Sequence, residues 1–201
     1  MLFGVLTKIF RMRIVHTLSL AIFTWSFSAA IVALELHGVD FPPTSTIDNQ
    51  RLVLNGCGTR TYGLFRNKIY VAGLYLQNTS DSDQQILNSE GIKQIKMRYM
   101  RKIDQDDMRR GWDYYFNENC PDHDCSAYTG EIAEFQAAVI AATKTDDYDY
   151  IFTNQSVRIL VNNQLVATIE GADFSRLLLS TWIGAAPPTK ALKNALLGTS
   201  D

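Results

Sequence analysis

Residues 54–76 read LNGCGTRTYGLFRNKIYVAGLYL, and this stretch decides how the chain folds. Its second half, KIYVAGLYL at 68–76, is rich in β-branched and aromatic residues, which is typical of a strand. Gly73 within that run indicates that another element or a ligand approaches the backbone closely. We therefore expect a central apolar hairpin here, with shorter strands at 51–54 and 62–65 leading into it.

A permanent cation, Arg60, interrupts this apolar hairpin. Gly56 and Gly58 come just before it, and we expect a backbone turn there that aims the side chain, because glycine tolerates conformations that other residues avoid. A buried cation without a counter-ion is strongly unfavourable. Arg60 therefore receives an anionic ligand, pairs with an internal acid such as Asp173 or Glu170, or reaches solvent.

Outward from the hairpin, the period of the hydrophobic pattern alternates between that of strands and that of helices. Further strands are predicted at 34–39, 94–103, 148–153, 157–161 and 165–169. Helices are predicted at 81–89, around the apolar face of Met108, Trp112, Tyr115 and Phe116, around that of Ile132, Phe135, Val139 and Ala142, at 173–183, and in a last segment ending at Gly198. Strands and helices in successive blocks predict an α+β fold, a long antiparallel β-sheet covered on one face by a layer of helices.

The first 30 residues have the pattern of a secretory signal peptide. They contain three basic residues and no acidic one, and the apolar run LSLAIFTWSFSAA ends at Ala30. We expect cleavage and a single domain over 31–201, periplasmic or secreted. The alternative is an uncleaved membrane anchor over 14–34, although Ser, Thr and His interrupt that run. Met12 is an alternative start.

The charge of the expected domain excludes one large class of partners. Three of the 19 basic residues and none of the 21 acidic residues lie in 1–30, so residues 31–201 have a net charge of 16 − 21 = −5. A moderately acidic domain is a poor nucleic-acid binder. Proximity to a membrane is expected through export only, and the sequence leaves the oligomeric state open.

The cysteines fit an exported protein. Cys120 and Cys125 enclose the four residues PDHD, and in an oxidising compartment they could form a small disulfide loop. The alternative is a metal site that uses the intervening Asp and His side chains, but the spacing is not that of a zinc site and a second ligand cluster is missing. Cys57 is left over as a small buried residue. We expect no metal.

Groups suited to catalysis are scarce. His37 and His123 lack a neighbouring nucleophile, so Ser-His-Asp or Cys-His chemistry is not expected. The Gly-Cys-Gly sequence is too weak to count as a phosphate-binding loop, and we expect no cofactor. The acidic run TDDYDY, which ends at Tyr150, favours a solvated turn over a calcium site.

Two segments together resemble the chalcone isomerase-like proteins. The Gly-x-Gly-x-Arg sequence and the strand ending in Leu-Tyr-Leu lie in 54–76, and Trp-Ile-Gly follows a leucine-rich helix in IEGADFSRLLLSTWIGAAPPTKALKNALLG at 169–198. The resemblance covers roughly 34–198 and is greater to the exported bacterial branch than to the plant enzymes. It implies an open-faced sandwich with a cleft between the sheet and the helices.

The resemblance also assigns residues to that cleft. In the plant enzymes an arginine stabilises the enolate that develops on a chalcone, and in the related plastid fatty-acid-binding proteins an arginine and a tyrosine hold a carboxylate. Arg60 matches the arginine of both groups, Thr181 matches a threonine of the plant pocket, and Tyr70 suits the carboxylate arrangement. Trp112 falls near the plant tyrosine and Asn119 near the plant asparagine. Because an indole N–H only donates, Trp112 cannot replace a phenolic hydroxyl, which argues against isomerase activity.

The sequence therefore predicts an exported, non-catalytic protein that binds a fatty-acid-like or other amphipathic carboxylate at Arg60 and Tyr70. The walls of the cleft are expected to include Leu64, Leu74, Met108, Trp112, Leu178, Thr181 and Trp182. One alternative is an isomerase, an intramolecular lyase acting on a chalcone-like enone with Arg60 as electrophile. Another is an envelope protein that binds a second protein and retains only a vestigial cleft.

Overall fold

The computed structural model describes residues 33–199, so the predictions made for residues 1–30 lie outside the described part of the chain. Its strands are β1 (Leu34–Leu36), β2 (Val39–Phe41), β3 (Thr44–Ile47), β4 (Gln50–Tyr62), β5 (Asn67–Leu76), β6 (Lys93–Tyr99), β7 (Asp147–Phe152), β8 (Ser156–Val161) and β9 (Gln164–Glu170). Its α-helices are α1 (Asp83–Asn88), α2 (Gln105–Asn119), α3 (Thr129–Ala138), α4 (Ala172–Ile183) and α5 (Lys190–Leu196).

The main sheet has seven strands in the order β3-β4-β5-β6-β7-β8-β9, and each antiparallel pair is made by consecutive strands. Helices α2 and α3 are inserted between β6 and β7, whereas α4 and α5 follow the last strand. The short strands β1 and β2 form a separate hairpin. The predicted α+β class with an antiparallel sheet is confirmed.

The glycines before Arg60 do not form the expected turn. β4 continues through Gly56 and Gly58 as one 13-residue strand. The strand predicted at 51–54 is therefore part of a longer one, whereas the strand predicted at 62–65 is wrong, because residues 63–66 form the turn between β4 and β5. The two glycines instead admit helix α5. A Cβ atom on Gly56 would lie 2.1 Å from the carbonyl oxygen of Ala195, and one on Gly58 would lie 2.6 Å from the Ala195 Cβ atom.

The close approach predicted at Gly73 is confirmed. A Cβ atom at this position would lie 2.6 Å from Cδ1 of Phe41, whose ring comes from the β1–β2 hairpin. The Tyr75 hydroxyl also donates to the carbonyl oxygen of Pro42 at 3.0 Å. A smaller apolar cluster around Phe41, Leu52 and Tyr75 results, so part of the sheet is covered on both faces.

The larger core lies between the sheet and the helices, and aromatic rings dominate it. The ring of Trp112 from α2 lies 5.3 Å from that of Trp182 in α4 and 4.9 Å from that of Phe135 in α3, measured between centroids. Edge-to-face pairs of this kind add to the hydrophobic stabilisation of their burial. Helix α3 ends at Ala138, earlier than predicted, and Ala142 instead forms an isolated β-bridge with Ile103.

The acidic run is less solvated than the sequence indicated. Asp149 is only 5% exposed and accepts a hydrogen bond from Nε2 of Gln94 at 2.6 Å. Burial raises the pKa of its carboxyl group, although Lys96 lowers it in part. Asp147 pairs with Arg98 across the β6–β7 ladder. These carboxylates hold neighbouring strands together.

Helix α2 ends at a disulfide between Cys120 and Cys125, whose Cα atoms are 5.4 Å apart. The bonded sulfurs leave no thiolate there for a metal. Residues 33–199 contain no cluster of His, Cys, Asp and Glu side chains arranged to hold a metal ion. Among the same residues, no helix combines the length and the apolar character that a membrane span requires.

Candidate functional site

A cavity of about 70 Å³ lies between the sheet and helices α2 and α4. The strands supply a cation and apolar or aromatic side chains to its wall, and α2 supplies the longest continuous part of the lining. The lining residues are Arg60, Tyr70, Met97, Tyr99, Ile103, Asp107, Met108, Gly111, Trp112, Tyr115, Thr181, Trp182 and Pro188.

Arg60 is the permanent cation of this cavity, and two tyrosines hold it. It pairs with Tyr70 across β4 and β5, and the register of this strand pair shifts between Arg60 and Thr61. Its Nη2 donates to the hydroxyl of Tyr115 at 2.8 Å. Its guanidinium carbon lies 5.7 Å from the centroid of the Tyr70 ring and 5.4 Å from that of Tyr115. The guanidinium is thus stabilised by two aromatic faces and one hydroxyl oxygen.

Neither acid proposed as an internal partner neutralises Arg60. Asp173 pairs with Arg176 at 3.0 Å, and Arg60 has no carboxylate within salt-bridge distance among residues 33–199. Asp107 lines the cavity, but it is exposed and pairs with Arg110 one turn along α2. The Nε atom of Arg60 is buried and has no hydrogen-bond acceptor among the described residues. The internal-acid alternative is therefore wrong for this part of the chain.

The tyrosines beside Arg60 remain protonated. Burial raises the pKa of the Tyr70 hydroxyl well above its usual range, and the Arg60 cation lowers it only in part. The same two effects act on Tyr115, with burial again the larger. A protonated phenol both donates and accepts hydrogen bonds. The site therefore offers an anion a guanidinium and phenolic donors within apolar walls.

The structure brings together most of the side chains that the sequence assigned to the cleft. Five of the seven predicted ligand-binding residues line the cavity, namely Arg60, Tyr70, Trp112, Thr181 and Trp182. Met108, which was also predicted in the wall, lines it with them. The hydroxyl of Thr181 is already engaged, because it donates to the carbonyl oxygen of Leu178 at 2.7 Å.

Three predicted wall residues lie elsewhere. Leu74 is fully buried in the core, four residues and about 13 Å along β5 from Tyr70. Leu178 is also fully buried and lies about one helical turn before the part of α4 that reaches the cavity. Leu64 is at the turn between β4 and β5 and is almost entirely exposed. These three leucines therefore do not belong to the cavity wall.

Tyr115 is the site residue that the sequence analysis missed. The helical pattern placed it on the same face as Met108 and Trp112, but only those two residues of the face were assigned to the cleft wall. It supplies the phenolic hydroxyl beside Arg60 that Trp112 cannot supply, so one argument against isomerase chemistry is removed.

Asn119 does not line the cavity, although it was predicted near a pocket asparagine of the plant enzymes. Its Nδ2 donates to the carbonyl oxygens of Tyr115 at 2.9 Å and Ala186 at 3.0 Å, and its Oδ1 accepts from the Ala186 amide at 3.3 Å. The side chain fastens the end of α2 to the segment after α4.

Comparison with known proteins agrees with this architecture. The chain belongs to the chalcone isomerase-like family, whose model matches residues 33–198. A crystal structure of a fatty-acid binding protein from Arabidopsis thaliana is similar to it, with a TM-score of 0.68 at 15% sequence identity, covering 83% of this chain and 95% of that chain. A search among curated protein sequences found no match. At this identity the structural likeness establishes the shared fold.

Proposed function

We propose that this protein is an exported, non-catalytic binding protein for an amphipathic carboxylate of the fatty-acid type. The observation that carries the proposal is Arg60, a cation inside an aromatic cavity without a carboxylate partner among residues 33–199 and with its Nε atom unsatisfied. A carboxylate accepts two parallel hydrogen bonds from a guanidinium fork and supplies the missing charge.

The surroundings of Arg60 suit the remainder of such a ligand. In this proposal the protonated Tyr70 hydroxyl contributes a further donor to the carboxylate, while Met97, Ile103 and Met108 offer apolar surface to the carbon chain. Each methylene group that leaves water contributes about 0.8 kcal/mol. The cavity therefore combines a charged end and an apolar wall, as an amphipathic acid requires.

The size of the cavity limits what it holds in this state. Its volume of about 70 Å³ is small beside the roughly 300–1,000 Å³ of pockets that enclose drug-sized ligands. We propose that it receives the carboxylate and the first carbons of the chain. A longer chain extends through the opening or displaces Met108, because methionine adapts its shape readily.

The test is calorimetric titration of delipidated protein with a medium-chain fatty acid. Arg60→Ala should weaken binding about ten- to a hundredfold, because a hydrogen bond to a charged group contributes about 1.5–3 kcal/mol. Arg60→Lys should recover only part of the affinity, because an ammonium lacks the planar fork. Arg51→Ala is the matched control, since Arg51 is an exposed arginine on the same strand. Equal affinity in all four proteins contradicts the proposal.

The contact between Arg60 and Tyr115 favours an isomerase as a second candidate function. Both groups could stabilise the enolate oxygen of a chalcone-like enone, the guanidinium by charge and the protonated phenol by donating a hydrogen bond. Turnover of naringenin chalcone that falls sharply in both Arg60→Ala and Tyr115→Phe would support this candidate. Wild-type protein that binds fatty acid but does not turn over the chalcone would support the binding protein instead.

A further inference from the structure

The turn between β4 and β5 presents apolar side chains to solvent. Residues 62–68, here called the hairpin tip, include Tyr62 at 68% exposure, Leu64 at 92% and Phe65 at 86%. The turn is well defined: Gly63 and Arg66 have positive φ angles of 74° and 49°, and the Arg66 amide donates to the Gly63 carbonyl oxygen at 3.0 Å. Single exposed apolar residues are ordinary, but three within four positions at a projecting turn indicate an interaction surface.

The charged residues of the hairpin tip itself have one sign. Arg66 and Lys68 follow the apolar residues directly, and the sequence contains no Asp or Glu from position 49 to position 80. The ammonium of Lys68 donates to Nδ1 of His37 at 3.0 Å, so the base of the hairpin tip contacts the turn between β1 and β2. The chain as a whole has a net charge of −2, so the positive character is local.

The hairpin tip borders the cavity. Tyr62 follows Arg60 by two positions, so its side chain leaves the same face of the strand about 7 Å further along. Tyr114 extends the exposed aromatic surface, because it is more than half exposed and its ring centroid lies 5.3 Å from that of Tyr115. Apolar surface therefore continues from the outside of the protein towards the guanidinium.

We propose that the hairpin tip inserts into an anionic phospholipid surface, with Leu64 and Phe65 among the acyl chains. Arg66 and Lys68 then meet the phosphate groups, and Tyr62 lies at the level of the headgroups, where tyrosines are enriched. This orientation sets the cavity beside the lipid. That part of the inference rests on the proposed function, since an acyl ligand could then pass between membrane and protein with little exposure to water.

The size of the tip favours a lipid surface over a second protein. Stable protein interfaces bury roughly 1,200–2,000 Å² in total, whereas an aromatic side chain buries about 150–250 Å². Three side chains on one turn provide too little area for such an interface. Insertion into a bilayer requires no complementary partner surface, and it needs only apolar side chains with cations behind them.

The apolar part of the proposal is tested by co-sedimentation of the full domain with vesicles of phosphatidylcholine and phosphatidylglycerol. The double variant Leu64→Ser, Phe65→Ser should bind at least about tenfold more weakly than wild type, because two apolar side chains no longer leave water. Leu165→Ser is the matched control and should bind like wild type, since Leu165 is 60% exposed on the edge strand β9. Equal binding of wild type and the double variant would overturn the proposal.

The charged part is tested with Arg66→Glu against Lys144→Glu, which reverses an exposed charge between α3 and β7. Arg66→Glu should lower affinity roughly fivefold or more for the mixed vesicles, since each basic residue near an anionic surface contributes to binding. Wild type should bind vesicles of phosphatidylcholine alone more weakly than the mixed vesicles, and added salt should reduce this difference in affinity. The proposal that the tip binds lipid would be refuted if wild type failed to bind the mixed vesicles. It would also be refuted if the protein self-associated and the tip substitutions abolished that self-association.

Titration with a soluble medium-chain acid separates this inference from the proposed function. The tip variants should keep wild-type affinity for the acid in solution, whereas Arg60→Ala should still bind vesicles. A protein that binds the acid but ignores vesicles refutes the docking surface alone. A protein that binds vesicles through the tip but not the acid refutes the carboxylate site and leaves the docking surface intact.

Discussion

At the scale of single residues, the pair formed by Arg60 and Tyr115 is the feature most open to measurement. Tyr115→Phe removes the hydroxyl that accepts from Nη2 and keeps the aromatic face over the guanidinium. In a double-mutant cycle with Arg60→Met, the coupling free energy should be about 1.5–3 kcal/mol, as for hydrogen bonds to charged groups. The measurement is urea unfolding of the empty protein and its three variants.

A second cycle gives the control for this coupling. Tyr114→Phe removes a hydroxyl from the neighbouring residue, which the structure does not place in contact with Arg60 through a hydrogen bond. Its coupling to Arg60→Met should be near zero. Equal coupling in both cycles would show that the hydrogen bond to Tyr115 is not formed in solution.

Single residues also show which parts of the candidate site could be predicted from the sequence. Arg60 could be found because a cation in an apolar hairpin needs an explanation, and because the family resemblance assigns it a role. Tyr115 could not be separated from its neighbour Phe116, which is buried in the core and does not line the cavity, because a helix presents core-filling and cavity-lining side chains on the same face. Only the packing of α2 against the sheet distinguishes the two kinds.

At the scale of secondary structure, β4 was misjudged for a related reason. Glycine indicates both a turn and a close contact, and the sequence does not show that α5, more than a hundred residues later, packs on Gly56 and Gly58. Gly73 was interpreted correctly because it lies inside an otherwise uninterrupted strand pattern. The block order of strands and helices was predictable because it depends on local hydrophobic period alone.

The same substitution should have opposite effects on two of these elements. Gly56→Ala places a methyl group 2.1 Å from the Ala195 carbonyl oxygen, so it should lower the free energy of unfolding by about 1–3 kcal/mol. Gly111→Ala places it in α2 with no atom within 4 Å, so it should raise that free energy by about 0.5–1 kcal/mol. Urea unfolding at an unchanged m-value measures both.

The sign of the change in the free energy of unfolding at Gly56 and at Gly111 tests the packing explanation. If both substitutions destabilised the protein equally, the close packing of α5 on β4 would not be the cause at Gly56. Gly58→Ala provides a further check, because its methyl group would meet the Ala195 Cβ atom at 2.6 Å and should therefore also be destabilising.

At the scale of the whole molecule, the proposed export predicts a defined mature chain. Cleavage after Ala30 gives a protein that begins at Ile31, because the small residues Ser28 and Ala30 occupy the positions read by the peptidase. Cleavage after Ala33 would give one that begins at Leu34. The intact mass of protein from the exported fraction measures the start. Protein found in the membrane fraction with residues 14–30 retained would contradict cleavage.

The state of the three cysteines is a second property of the whole molecule that the proposed export predicts. The disulfide between Cys120 and Cys125 closes a short loop, so replacing both by serine should lower the free energy of unfolding by about 2 kcal/mol. Cys57 is buried, and burial raises the pKa of its thiol to about 11, so little of the reactive thiolate exists at neutral pH. Alkylation of the native protein should therefore be slow. Unfolding without reduction should expose one reactive thiol per chain, and three would show that the disulfide does not form.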